Sequence, residues 1–539
     1  MGINDTGGKT KSTASSRLRD QSSRKNVVKQ NIDAGRIVGD IVAPTLGPCG
    51  RDILLWYKDE HEQDDLTHYE VTNSGAFVLK RLSFEAPAAG VIARIAKAQD
   101  ERCGDGTTTA ALYAGQMFSE IDDLIDQGFH PTTVIAGINE AVGFAIEAIE
   151  NHSKPVTDDE AILDSIIRTT LSGRLADSLI DDLCVWIRTA VTASETTFSQ
   201  ESVQTESLRA GHIGQSELIP GFVLKKSFAG NYDPPSIESP RIGLATQGIA
   251  RKERIQQRLE TGDEVTKKIS FQPSDPDEAH EFFEYERNLL RKQLAGVVDA
   301  NIDVLIVSNR IEDDILSFFA ADNIAVVRET DRKRLRKIAE ATGATVNKYI
   351  EGFSPDDVGY AEHIDQQGYD EIDQNVIFLR DCQNSHVASV LAHGSTWVSC
   401  WETERNINNA VAAVDGALKH KQVIPGGGAI EMEIARYLRD VAAGRGGRES
   451  LVIEAVADAV EAVPSTLARN AGMDPLETIL GLRNSHYHGG TETGVLAIEQ
   501  TTGNVLARGV REVAFTKSNA IQAAGSVVST ILRIDDVIS

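Results

Sequence analysis

Residues 104–109 read Gly104-Asp105-Gly106-Thr107-Thr108-Thr109, directly ahead of Thr109–Gln127, where apolar residues recur at helical spacing. The first turn of a helix leaves backbone N–H groups without intrahelical partners, and these, with threonine hydroxyls, hold anions. Asp105 adds a hard oxygen ligand of the kind that Mg²⁺ bridging phosphates requires. Read alone, the segment is also compatible with an ordinary helix N-cap with threonines in the first turn.

Two further glycine-rich loops share that ambiguity. Thr45-Leu46-Gly47-Pro48-Cys49-Gly50 follows a short helix, Asn31–Ala43, and Gly426-Gly427-Gly428 precedes a helical pattern through Ile430, Ile434 and Leu438. Neither ends in the Lys-Ser/Thr of a Walker A loop, and the dinucleotide fingerprint is absent. The three loops carry weight only if the fold brings them together.

Outward from residue 104, the N-terminal part reads as mostly helical, with helices at Ala88–Ala98 and Pro131–Glu150. Ile53–Trp56 and Ala76–Leu79 read as strands flanking the acidic stretch Asp59–Asp65. Val156–Glu160 reads as a linker before the helical run Ala161–Arg168. The middle alternates strands (Asn301–Val307, Asn323–Val327, Thr345–Lys348) with helices (Glu312–Ala320, Asp331–Ala341), the pattern of βαβ units. Val376–Leu379 and Ser395–Ser399 continue the strands, and helices resume at Glu404–Leu418, Val452–Ala468 and Asn519–Leu532. The two ends match in class, so the economical architecture is one helical domain built from both ends with an α/β domain inserted between them.

The 539 residues imply roughly three or four domains at about 100–200 residues each. Lys and Arg total 54 against 80 Asp and Glu, a net charge of −26, which disfavours nucleic acid and anionic membrane as partners. Arginine exceeds lysine, and excess carboxylate with scarce lysine resembles proteins of salt-loving cells. No apolar run approaches the length of a membrane span, and the polar N-terminus lacks the apolar core of a signal peptide. Cys49, Cys103, Cys184, Cys382 and Cys400 are scattered and odd in number, which fits a reducing, cytoplasmic setting. His486 and His488 read as a surface loop rather than a metal site, and Trp397 and Trp401, flanking Cys400, as core residues.

Six ordered segments resemble the group II chaperonin family of archaeal thermosome subunits and their eukaryotic cytosolic relatives. They are Thr45–Gly50, Thr72-Asn73-Ser74-Gly75-Ala76, Gly104–Thr109, Pro425-Gly426-Gly427-Gly428-Ala429, Asn470-Ala471-Gly472-Met473-Asp474-Pro475 and Ile531-Leu532-Arg533-Ile534-Asp535-Asp536. The resemblance implies a multidomain chaperonin fold: a mainly helical equatorial domain (21–166 and 419–539), a small α/β intermediate hinge domain (167–218 and 387–418) and an α/β apical domain (219–386). It places a helical protrusion near Gln247–Lys268 and a disordered tail at 1–20. It further implies ATP and Mg²⁺ as cofactors, non-native client proteins, and other chaperonin subunits as partners in homo- or hetero-oligomeric stacked rings.

By the same resemblance, Leu46, Gly47 and Pro48 contact the nucleotide, Asp105 is the magnesium ligand, and Gly104 and Gly106 to Thr109 hold phosphates. Ser172, Gly173, Gly427, Gly428, Asn470 and Ala471 complete the nucleotide contacts, with Asn504 at a position where the family has an aspartate near the base or ribose. The departures fall on catalysis. The family's two catalytic aspartates are replaced by Ser74 and Asn409, and its loop lysine by Cys49; Asp415, farther along the helix from Asn409, is a poor substitute. Serine and amide cannot accept a water proton at neutral pH. The expectation is an ATP-binding folding chaperone with weak or lost hydrolysis. The alternatives are a fully active ATP-driven chaperonin and a structural or specialised binding subunit that has left the ATP cycle.

Overall fold

The computed structural model describes residues 21–58, 67–82, 87–156, 160–193, 203–230, 232–247, 288, 291, 294–383 and 387–534. The expected tail at 1–20, the acidic stretch 59–65 and the expected protrusion, apart from Gln247, lie outside these residues.

The first elements are α1 (Gln21–Val42), the antiparallel pair β1 (Ile53–Lys58) and β2 (Thr67–Thr72), then α2 (Gly75–Arg81), α3 (Pro87–Cys103), α4 (Thr107–Asp126) and α5 (Pro131–His152). Helix α4 is the axis of this body. Its apolar residues surround it, with Leu112, Tyr113, Met117, Phe118 and Ile121 fully buried, as expected of a helix enclosed by others. Helix α5 is long and apolar enough to cross a membrane. In the fold its Val134, Ile138, Ala141, Ala145 and Ile149 are buried in the shared helical core.

After β3 (Lys154–Pro155), helices α6 (Glu160–Leu171) and α7 (Asp177–Ala193) build a second, smaller core. The chain then enters a sheet through β4 (Val203–Leu208), β5 (Glu217–Leu224), β6 (Ser236–Glu238) and β7 (Arg241–Ala245). It continues through β8 (Val304–Val307), α8 (Asp313–Ala321), β9 (Ala325–Val327), α9 (Arg332–Thr342) and β10 (Val346–Asn347). Strands β11 (Gly359–Tyr369), β12 (Gln374–Cys382) and β13 (Ala388–His393) complete it. The strand order is β4-β13-β5-β12-β11-β7-β8-β9, with β7, β8 and β9 parallel. Strands β8 and β9 are buried along their whole length, the continuous apolar pattern of parallel strands covered on both faces. The outgoing β5 and the returning β13 pair antiparallel, from Pro220–Ala388 to Glu217–Leu391, and β4 runs parallel to β13 on its other edge, paired from Val203–Ala388 to Leu208–His393.

The return runs through α10 (Trp397–His420), β14 (Gln422–Pro425), α11 (Ala429–Ala443), α12 (Arg448–Asn470) and α13 (Pro475–Tyr487). The hairpin β15 (Thr493–Leu496) and β16 (Thr501–Asn504), then β17 (Arg511–Val513) and α14 (Ala514–Ile531), close the chain. One core joins Ile32, Phe118 and Ile138 from the first part to Ile430, Val456, Ile521 and Val528 from the last. The result is a multidomain architecture with a helical body made from both ends and a mixed α/β region between.

Several local expectations change. Ala76–Leu79 is helical, not extended: Ser74 caps α2 by accepting a hydrogen bond from Phe77 N at 3.1 Å, and the strand opposite β1 is Thr67–Thr72. Ser395–Ser399 is the start of α10, capped by Thr396, and the strand there is β13. Trp397 and Trp401 stack on each other at 6.2 Å on the surface, 44% and 43% exposed, rather than in a core, while Cys400 is buried. Helices α7 and α13 and strands β4 and β5 have no counterpart in the sequence reading. All five cysteines are free thiols.

Candidate functional site

The turn after α1, the start of α4, the α6–α7 turn, the loop before α11 and the β15–β16 hairpin enclose one cavity of about 360 Å³, a size suited to a small-molecule ligand. Leu46, Gly47, Pro48, Asp105, Gly106, Thr109, Ser172 and Gly427 line it, so the three glycine loops meet in space. Its apolar wall is Val463, Leu467, Val495, Leu496, Ala497 and Ile498; Arg168, Arg174 and Arg511 add positive charge.

A smaller polar cavity of about 60 Å³ adjoins it, sharing Leu46, Asp105, Gly106, Thr109 and Arg174. Asn73, Ser74, Gly75, Thr107, Thr108, Arg405, Asn406 and Asn409 complete its wall. Gly75 makes this geometry possible: a Cβ there would lie 2.5 Å from Thr108 Oγ1, so only glycine lets α2 start against the first turn of α4. Ser74 and Asn409 thus face the same small space from two different helices. Asp105 is the one carboxylate among the described residues lining it. Its Oδ1 accepts a hydrogen bond from Gly106 N at 2.7 Å, and Gln99 holds the Asp105 carbonyl at 3.0 Å. One carboxylate beside threonine hydroxyls and a phosphate-sized space fits Mg²⁺, which usually takes few protein ligands and completes its shell from phosphates and water.

The remaining expected contacts stand outside both cavity walls. Asn470 donates from behind to the carbonyls of Ala43 at 3.0 Å and Leu46 at 2.9 Å, bracing the 43–48 turn, and Ala471 is buried beside it. Gly173 packs on the same turn; a Cβ there would sit 2.2 Å from Pro48 O. Gly428 has φ +81° and caps α11, and Gly104 is buried with φ +65°. These five support or shape the loops that line the cavities. Asn504 does not reach the cavities: it is exposed on β16, donating to Glu492 at 2.9 Å. Asp415 is paired with Lys419 at 2.7 Å and lines neither cavity.

The sequence reading passes over the floor of the large cavity. Lys517, 4% exposed, lies 2.6 Å from Glu431 and 2.7 Å from Glu512, and Tyr113 donates to Glu431 at 2.9 Å. Burial alone would lower the lysine's pKa, but the two carboxylates hold it well above the ordinary value. A lone lysine in the apolar run of α14, and a glutamate between Ile430 and Met432, are the sequence signals that point to it.

A second buried acid sits behind β15. Glu433 is fully buried, with His486 Nδ1 at 2.6 Å, His152 Nε2 at 3.1 Å and Arg436 at 2.7 Å. His486 Nε2 also lies 2.7 Å from the Thr493 carbonyl, so this ring is a buried clasp on the hairpin and not a surface-loop residue. Burial pushes Glu433 up, but the hydrogen bonds from His152, His486 and Arg436 outweigh it and hold the carboxyl well below its usual range. The hydrogen bond to Glu433 raises His152. A histidine raised in the folded state contributes stability that is complete below about pH 6.5 and is lost as pH climbs through the folded-state value. The thermal midpoint is therefore expected to fall on the alkaline side, and His152→Gln to flatten that fall. Parallel pH curves for the two proteins would rule out this contribution.

The TCP-1/cpn60 chaperonin family matches residues 38–539. The chain is 32% identical over 522 residues to a thermosome subunit of Methanopyrus kandleri, covering 96% of this chain and 92% of that one. It is 33% identical over 525 residues to the thermosome subunit beta of Archaeoglobus fulgidus, covering 96% and 92%. A thermosome subunit alpha of Halobacterium salinarum is 33% identical over 525 residues, covering 96% of this chain and 89% of that protein.

Proposed function

Since the chain belongs to the TCP-1/cpn60 chaperonin family and so has a chaperonin role in protein folding, we propose that it is an ATP-binding subunit that hydrolyses ATP slowly or not at all. The large cavity takes the nucleoside, with the apolar wall against the base. The loop 104–109 and Arg174 take the phosphates, and Asp105 with them holds Mg²⁺, which neutralises phosphate charge. The terminal phosphate then points into the small cavity. The observation that carries this reading is the makeup of that cavity. Thr107, Thr108, Thr109, Arg174 and Arg405 supply donors there, yet Ser74 and Asn409 offer no base to an attacking water.

Calorimetric titration of the assembled protein with Mg·ATP in high salt tests the binding half. Asp105→Ala is expected to weaken Mg·ATP binding by at least the about 10- to 100-fold that loss of a supporting metal contact costs. Equal binding by the variant would count against the site, and no heat from the wild type would favour the specialised-binding alternative.

The domain division set out above, with a client-binding segment at 219–386, belongs to the same proposal, as does a cytoplasmic setting and assembly into stacked rings. The β1–β2 pair supports assembly: Leu54, Trp56, Tyr69 and Val71 are exposed, in directly opposed pairs on one face. A subunit without turnover serves such a ring beside active paralogous subunits, because client contacts and subunit contacts do not need its own hydrolysis. Native mass of the complex at high salt reads both size and subunit composition.

A further inference from the structure

The replacement at 409 adds a contact as well as removing a charge. Two backbone carbonyls face the Asn409 amide, which assigns its nitrogen to them: oriented so, it donates to the Gly104 carbonyl at 2.7 Å and to the Arg405 carbonyl at 3.2 Å. The second bond stays within α10. The first joins α10 to the loop that opens α4, far away in sequence. Gly104 is buried and held at φ +65°, and buried backbone carbonyls are nearly always paired. An aspartate of the same shape has no proton to give at neutral pH and would set a carboxylate oxygen against a carbonyl oxygen. A second contact runs in parallel, with Asn73 N donating to Glu402 of α10 at 3.3 Å.

We propose that Asn409 is a positioning residue, a latch that fastens α10 to the 104–109 loop before any nucleotide arrives. The phosphate end of the cavity is then assembled in the empty subunit. A site that is already closed does not lose affinity to an open population. The substitution therefore exchanges turnover for a standing closed state. The inference rests on the nucleotide reading of the cavity, but exchange measured without nucleotide tests the latch by itself.

Amide hydrogen exchange on the full-length protein in high salt tests it, with Asn409→Ala and Asn409→Asp beside the wild type, each without and with Mg·ATP. In the nucleotide-free proteins, both variants are expected to exchange faster over 104–109 and over α10, by about tenfold for a lost hydrogen bond to a buried group. Asn409→Asp, almost the same size, keeps the packing and so separates the latch from a packing defect. Saturating Mg·ATP is expected to slow exchange in the variants towards the wild-type rate, because a bound ligand favours the assembled site. Unchanged exchange in both nucleotide-free variants overturns the latch, whether or not ATP binds. Faster exchange in the variants of a protein that shows no ATP binding supports the latch and removes the nucleotide reading instead.

Discussion

Steady-state phosphate release in high salt is expected to rise by about 10²- to 10⁴-fold when Ser74 and Asn409 are both changed to aspartate, the range a positioned general base contributes. The two positions line one small cavity with Arg174, Arg405 and Asp105 to Thr109, so the double change adds two carboxylates at the proposed phosphate end. The single changes are expected to differ. Ser74 caps α2 through its side-chain oxygen, and aspartate is as good an N-cap as serine. Ser74→Asp should fold as well as the wild type. Asn409→Asp breaks the bond to Gly104 and so loosens the site it is meant to activate. The double variant should therefore turn over faster yet bind ATP less tightly than Ser74→Asp alone. Wild-type turnover equal to that of the double variant would show that another group performs the reaction.

The largest loss of stability is expected from Lys517→Met. The ammonium is the bridge between Glu431 and Glu512 at 2.6 and 2.7 Å, and Glu431 is fully buried, with its second oxygen lacking a hydrogen-bond partner. Removing one member of a buried charged set leaves the others uncompensated and costs about 3–5 kcal/mol. Adding Glu431→Gln to Lys517→Met is expected to recover part of it, since a neutral amide still accepts from Tyr113. Denaturant titration of the three proteins reads both effects. A midpoint for Lys517→Met within error of the wild type would mean that the cluster contributes little to holding the cavity floor.

The features legible in the sequence are those set by local rules. Helical spacing of apolar residues marks α4 and α5 within a few residues of their ends, and the glycine loops stand out because backbone geometry restricts what can replace them. Misreadings occur where the local signal is short or shared. Ala76–Leu79 gives four apolar-rich residues, too few to separate a strand from one buried turn of helix, and the deciding feature is the cap at Ser74. Trp397 and Trp401 are large and apolar, but their spacing puts both on one side of α10, and which side faces water depends on what packs there. His486 shows the converse: its polar, glycine-rich flank suggests a loop, while Glu433, on another helix, buries it. Asn504 matched a motif position, yet the β15–β16 hairpin turns it to solvent. The Asn409–Gly104 bond has no local signal at all, since its partners meet only when α10 folds back across the body.

The pairing of β4 with β13 governs how the α/β region is carried. Strand β4 runs parallel to the returning β13 from Val203–Ala388 to Leu208–His393, and the outgoing β5 lies antiparallel on the other edge of β13, from Pro220–Ala388 to Glu217–Leu391, so the two crossings are joined in one band instead of running as independent tethers. A load on the crossing that leaves the helical body is therefore shared, through the rows of inter-strand hydrogen bonds, with the crossing that returns to it.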